Sequence, residues 1–590
     1  MLTFKDSKNA ISFFEGCNNI ITESIDAETK EESIKVIGGK TRVLVKEPEI
    51  ANSIFCRMKA KTCGAPAFVL CADKTELYNL VIRDLTDETA SDGASLVIEN
   101  GDCDISDLTV RGISSKRNAV LSKGKNDGTF YSNLHCGKGF SPIVKAGEST
   151  RDFYDGEVME IVLPIMKEEL PSRQFVTPNA PEFFGEGDAE TVQNAVDFAS
   201  RKGINCVVIP SFNERTESNE WIFEKAVKIP SYMTIVFLHC FIKHKDFMYE
   251  NLFINSLAYD SQDRSIAKEQ HDMTFMGVGD AVLSGGKQNG LKEKTCFLYG
   301  LPDKRPNATV LFNNVRNLVL ENFQIHDSRW YGTYFIHCDT VRVSGLDFDN
   351  GEDFCNRDGV DIRQGNHNFL VENITGVTGD DTVALNNLGN DGNDGRYVEG
   401  KDCNTLNMVI RNVKADAGRW FTVRLLCQDR HLEHNFVLDT IMDVSRTENK
   451  KRCDAAVVIG SHEYFYKIPA EIGDLAHITV RDVYTRAMRG VAFGGCSDDV
   501  KISNVHAYKD APSALCVRLT AKVRDVEASG IFYKCNEKNP DKDLTVKASR
   551  TPAVLYFGSL ETLNTVKVKN VFIDGANMSV FTSGNCEVIV

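Results

Sequence analysis

From about residue 310 onward the chain repeats one short element. A turn-forming residue is followed by an apolar-x-apolar alternation and then by Asn, Asp, Thr or Gly. It reads NLVLEN from Asn317, TVRVSG from Thr340, NFLVEN from Asn368, NMVIRN from Asn407, NFVLDT from Asn435, HITVRD from His477, DVKISN from Asp499, DVEASG from Asp525 and TVKVKN from Thr565. Successive starts lie 23, 28, 39, 28, 42, 22, 26 and 40 residues apart. Self-similarity at this period, with longer gaps, marks a solenoid carrying insertions. Period-two alternation inside each unit makes it a β-solenoid rather than a helical one. The flanking Asn, Asp and Gly tolerate the left-handed backbone that a sharp corner needs.

The rest of the chain divides around this array. Residues 1–172 are strand-rich, with runs such as PAFVLCAD, LYNLVIRDL and ASLVIENG broken by Gly, Asp and Lys. Short strands with turn signals predict a β-sandwich-like accessory domain. A proline-rich stretch, 173–182, reads as a linker. After it, Val192, Ala195, Val196 and Ala199 recur at helical spacing between Asp188, a candidate cap, and Gly203. Such a helix can cover the open edge of a first coil. Residues 183–590 are therefore expected to form a right-handed parallel β-helix, in an all-β chain.

Composition narrows the function. The 590 residues carry a net charge of −15, the wrong sign for a nucleic-acid footprint. No run of about 18 apolar residues suggests a membrane helix. The 18 cysteines show no CxxC and read as reduced thiols, and the start MLTFKDSKNAISFFEG lacks the pattern of a secretory signal. Both features predict a cytoplasmic protein.

The chemistry concentrates between Asn356 and Leu385. Asp358 opens DGVDI, and Asp380 with Asp381 opens DDTVAL, 22 residues later. Stacked coils lie about 4.8 Å apart, so Asp358 and Asp380 should stand above one another, with Asp381 beside them. Three close carboxylates repel, which raises at least one pKa toward neutrality. A protonated carboxyl beside ionised ones suits general-acid glycoside cleavage, and an inverting enzyme wants acid and base roughly 6.5–9.5 Å apart.

These residues resemble the polygalacturonase-like glycosidases, family 28 of the glycoside hydrolases. That family carries N-T-D-G-x-D-I and, about 20 residues on, G-D-D-x-x-A-L/I. Here the matching stretches are Asn356-Arg357-Asp358-Gly359-Val360-Asp361-Ile362 and Gly379-Asp380-Asp381-Thr382-Val383-Ala384-Leu385. The resemblance covers about residues 183–590. It implies a pectate-lyase-like β-helix and inverting hydrolysis without metal or organic cofactor. It makes Asp380 the general acid and gives Asp358 and Asp381 the water. An exo-acting enzyme on oligosaccharides, galacturonide or a related hexoside, is the expectation, with homo-oligomerisation left open.

The sequence also departs from the family. Arg419 stands where the family has the His of Gly-His-Gly, and the R-x-K that reads the uronate carboxylate is missing near Gly490–Gly494. Arg363, Arg419 and Arg424 could replace those cations, since an Arg fork suits carboxylates. Asn356 completes the substrate-binding candidates with Trp330 and Trp420, and Tyr331 is a further aromatic that could stack on sugars. Three other readings stay open: an α-galactosidase of the family 110 type, a Ca²⁺-dependent polysaccharide lyase with Arg363 as base, and a glycan-binding β-helix without activity. The insertion 386–404 and the stretch around His462 read as loops near the cleft.

Overall fold

A computed structural model describes residues 2–14, 17–38, 49–101, 103–123, 126–145, 153–155, 161–164, 166–167, 174–247, 251–258, 268–286, 308–351, 356–387, 403–445, 453–460, 468–508, 513–517, 521–534, 554–560, 566–574 and 580–584. His462 and most of the 386–404 insertion lie outside them. The chain separates into two compact units, the first Met1–Glu160 with two short later pieces and the second the remainder.

The first unit is built from two parallel sheets. One has seven strands in the order Leu2–Ser7, Ile21–Thr29, Ile50–Thr62, Leu77–Asp87, Ile105–Ser115, Asn126–His135 and Phe153–Asp155. The other has six, from Ile11–Phe13 through Ile34–Gly38, Phe68–Ala72, Ala94–Asn100 and Asn118–Lys123 to Ile143–Lys145. Successive strands alternate between the sheets, and neighbours run parallel, with Ile54 paired to Val81 and Val81 to Thr109. Between the sheets lies one core that includes Phe55, Phe68, Leu80, Ile82, Leu96, Ile98 and Leu108.

Two β layers over one core match the sandwich-like expectation, but the strand order is that of a coil. The reason is visible in the backbone. Asn52 and Arg57, Asn79 and Asp84, and Asp107 and Gly112 all have positive φ, between 50° and 65°. Each pair brackets a hexad (NSIFCR, NLVIRD, DLTVRG) of the same form as the downstream repeats. Short alternating strands fit hairpins and coils equally well, whereas a left-handed residue at both ends of a five-step interval turns the chain onward to the next coil.

The second unit is a parallel β-helix. Among the described residues it has a 17-stranded sheet from Cys206–Pro210 to Val566–Asp574 and a 12-stranded sheet from Val227–Ile229 to Val580–Gly584. The repeats read from the sequence lie in the larger sheet. Their first residues, Asn317, Thr340, Asn368, Asn407, Asn435, His477, Asp499 and Asp525, all have positive φ, and so do the residues five positions on, from Asn322 and Gly345 to Asn504 and Gly530. These corners are tied together by side chains. Asn368 Nδ2 donates to Asp339 Oδ1 (2.8 Å), Asn407 Nδ2 to Asn368 Oδ1 (3.0 Å) and Asn435 Nδ2 to Asn407 Oδ1 (3.0 Å). A polar residue that accepts left-handed geometry thus also satisfies its own amide by stacking.

The helix Asp188–Lys202 buries Ala189, Val192, Ala195, Val196 and Ala199, and Gly203 ends it at φ 67°. The N-cap is Gly187, not Asp188. Glu224 supplies the anion that the helix start favours, accepting from the N–H groups of Ala189 and Glu190 (3.3 Å each). Asp188 is instead committed to Arg215 (2.6 Å) and the Ile222 N–H (2.7 Å). No helix among the described residues is long and apolar enough to cross a membrane.

Candidate active site

Three neighbouring strands of the smaller sheet carry the site: Val360–Ile362, Val383–Asn387 and Phe421–Cys427. Their register pairs Val360 with Val383 and Val383 with Val423. Val360, Ile362, Val383, Leu385, Val423 and Leu425 face inward and are fully buried. Period-two alternation then sends Asp361, Ala384 and Arg424 to the other face. Asp358 and the Asp380–Asp381 pair sit just before their strands, where the chain turns into the sheet.

The offset between the first two strands is 23 residues, one more than the sequence spacing of Asp358 and Asp380 suggested. Asp358 therefore stacks on Asp381, with Asp380 beside them. Gly359 N–H donates to the Asp381 carbonyl (2.9 Å), and Gly332 N–H donates to the Asp358 carbonyl (2.8 Å). Gly359 is needed for this approach, since a Cβ there would lie 2.5 Å from the Thr382 carbonyl oxygen.

One oxygen from each of Asp358, Asp380 and Asp381 lies within 4.8 Å of the other two. Asp381 N–H donates to Asp358 Oδ1 (3.2 Å) and to Asp380 Oδ1 (3.1 Å). Asn356 N–H donates to Asp380 Oδ2 (2.7 Å), and Phe421 N–H to Asp381 Oδ1 (3.2 Å). Arg424 Nε sits 3.1 Å from Asp381 Oδ2. Of the three, Asp380 is the most open at 8% exposed, against 4% for Asp358 and 1% for Asp381.

Burial dominates the electrostatics. It pushes the Asp358 carboxyl well above the usual carboxylate range, repulsion from Asp380, Asp381 and Asp361 adds to the rise, and Arg424 opposes it. Burial likewise drives Asp381 well up, with Arg424 the main opposing influence. Asp380 is raised by burial too, and the Asn356 N–H and Arg424 hold it back. The cluster therefore retains a proton at higher pH than ordinary carboxylates do. Its geometry could also hold a cation. However, backbone N–H groups and Arg424 already occupy several of its oxygens, which a Ca²⁺ ion with six to eight oxygen ligands would need.

The other candidate residues fall at different distances from this centre. Asn356 takes part through its backbone N–H, at φ 64°. Arg424 lies against Asp381. Arg363 is 4% exposed and turned to the coil below, paired with Asp361 (3.1 Å) and with the Tyr331 hydroxyl (2.6 Å), over the rings of Tyr331 and Tyr334. Trp330 and Tyr331, at 8% and 7% exposed, pack with Tyr334, Leu311 and Ile336 in an apolar cluster. Trp420 is half-buried and Arg419 exposed. At the expected uronate-reading strand, Arg489 is present but pairs with Asp454 (2.7 Å).

Two polar residues of the site were not singled out from sequence. Asp361 lies inside the DGVDI motif and Asn386 opens the insertion. Their signal is parity: residues 361 and 386 alternate away from the inward-facing Val360, Ile362 and Leu385, so both reach the polar face.

No family model matches the sequence. Part of the chain is polygalacturonase-like in sequence. A curated polygalacturonase from Malus domestica is 29% identical over 133 residues, 21% of this chain, and the match spans 29% of that relative's length. Among solved structures, a polygalacturonase from Erwinia carotovora aligns with 73% of this chain and 99% of its own, at 14% identity and TM-score 0.40. An exopolygalacturonase from Thermotoga maritima aligns with 70% and 94%, at 13% identity and TM-score 0.36.

Proposed function

We propose that this protein is an inverting glycoside hydrolase whose three carboxylates are Asp358, Asp380 and Asp381. The observation that carries the reading is their convergence, from two adjacent coils, to within 4.8 Å in a buried site, with Arg424 beside Asp381. Asp380, the most open of the three, gives its proton to the glycosidic oxygen as the C1–O bond breaks. Asp358 and Asp381 hold a water between them and take its proton as the water oxygen attacks C1 from the opposite face. Atoms balance without a metal or organic cofactor. The substrate class we propose is an oligosaccharide ending in galacturonide or a related hexose, cleaved from its end in the cytoplasm.

The carboxylate spacing favours a second reading. Retaining enzymes, which form a glycosyl-enzyme intermediate, place their two carboxyls about 5–5.5 Å apart, against roughly 6.5–9.5 Å for inverting ones. The first reading answers this with a third carboxylate, which lets two acids share the water instead of leaving a gap for it.

Asp380→Asn tests the assignment of an enzyme. On a panel of aryl glycosides, galacturonide and galactoside first, the variant should lose at least about a hundredfold in turnover, in line with the size of general-acid catalysis. Ligand binding by calorimetry should persist. Unchanged turnover would refute the role of Asp380, and unchanged glycan binding with no turnover in either form would identify a binding protein.

A further inference from the structure

Arg424 stands in the sequence as a candidate substrate contact, but its surroundings assign it another task. Its Nε faces Asp381 Oδ2 (3.1 Å) and its Nη2 donates to Asn386 Oδ1 (2.7 Å). Asn386 Nδ2 in turn donates to Asp361 Oδ1 (3.2 Å), Asp361 Oδ2 pairs with Arg363 Nη2 (3.1 Å), and Arg363 donates to the Tyr331 hydroxyl (2.6 Å). The amide orientation of Asn386 is thus fixed from both sides: its oxygen meets a cation and its nitrogen an anion. The order along the chain is acid, cation, amide, acid, cation, hydroxyl. It crosses the coils on the outward face of the sheet, and Arg363, Asp361 and Asn386 within it are almost wholly buried. Ala384, between Asp361 and Arg424 in the register, is small enough to leave room for the bridge.

We infer that Arg424 is a positioning residue: the Tyr331–Arg363–Asp361–Asn386 chain holds its guanidinium against Asp381, where it favours the ionised form of that carboxyl against the pull of burial and the neighbouring acids. Asp381 faces charge from every side. Asp380 is on its own segment, Asp358 and Asp361 come from the preceding coil, and Arg424, the cation among these neighbours, comes from the following one. Removing that cation takes away the counter-charge shared by Asp358, Asp380 and Asp381, while Asp361 keeps Arg363. A guanidinium whose Nη2 donates to Asn386 and whose Nε faces Asp381 is also poorly placed to form a bidentate clamp on a substrate carboxylate.

The role as a base support rests on the hydrolase reading, so the test has one arm that does not use turnover. With ¹³Cγ-labelled aspartate, the Asp381 carboxyl is titrated by NMR in the wild type, in Arg424→Met and in Asn386→Ala, which keeps the cation but frees it. An opposite charge at this range lowers a carboxyl pKa by about one to three units. Arg424→Met should therefore raise the Asp381 midpoint by about that much, and Asn386→Ala by less. In the kinetic arm the acidic limb of the kcat profile should move up by the same amount, with KM within about twofold. An unmoved Asp381 midpoint overturns the inference. So does a KM rise of tenfold or more with the limb in place, which would make Arg424 a substrate contact. If Arg424→Met does not fold, Arg424→Lys and Asn386→Ala carry the same comparison. Should no glycoside be turned over by the wild type, the hydrolase reading fails while the titration still decides the part played by Arg424.

Discussion

Asp358 shows what the site costs at the scale of one residue. It is 4% exposed, faces three other acids, and has Arg424 to offset them. Its folded-state pKa is raised well above the unfolded value of about 3.9. For an acid shifted in this direction the folded state binds the proton more tightly. The associated stability is present in full below the unfolded pKa and is lost as pH rises through the folded pKa. At neutral pH the site is therefore a local burden on the fold, as active sites commonly are. Asp358→Asn, which keeps the shape and removes the charge, should abolish turnover and raise the unfolding midpoint at pH 7. At pH 4 the gain should vanish. Scanning calorimetry of the two proteins at both pH values checks this, and an Asn variant less stable at pH 7 would refute it.

At the scale of an element, the hexad explains why the sequence disclosed so much of the fold. Asn407 is a corner residue at φ 60°, and its amide bridges Asn368 below and Asn435 above. The side chain that permits the backbone is the one that ties coil to coil, so it recurs and can be read. Asn407→Ala loses two hydrogen bonds and puts a Cβ without local compensation in left-handed backbone. Together these should cost about 2 kcal/mol. Asn407→Gly keeps the backbone permissive and should cost less. Equilibrium denaturation of both variants orders them, and an Ala variant as stable as the Gly variant would remove the corner argument. The same hexad was equally present at Asn52, Asn79 and Asp107. It was harder to see there because short strands with polar turns also describe a sandwich, and alternation alone carries no strand direction.

The whole molecule joins two facts that sequence supplied separately, a repeat and a set of acids. The solenoid period is what turns distance along the chain into closeness in space, so Asp358 and the Asp380–Asp381 pair were legible as a site. Their pairing was off by one residue because the offset of a coil is set by its corners, not by the similarity of its motifs. The charge network beneath the site was less legible. Arg363 and Arg424 looked like substrate cations because nothing in the order of residues says that Asp361 and Asn386 reach them first. The reaction course remains the most direct test of the central claim. Wild-type protein is mixed with an aryl galacturonide or galactoside of known anomeric configuration, and the first-formed sugar is followed by ¹H NMR before mutarotation. Single displacement at Asp358, Asp380 and Asp381 predicts that the inverted anomer appears first. Appearance of the retained anomer would contradict it.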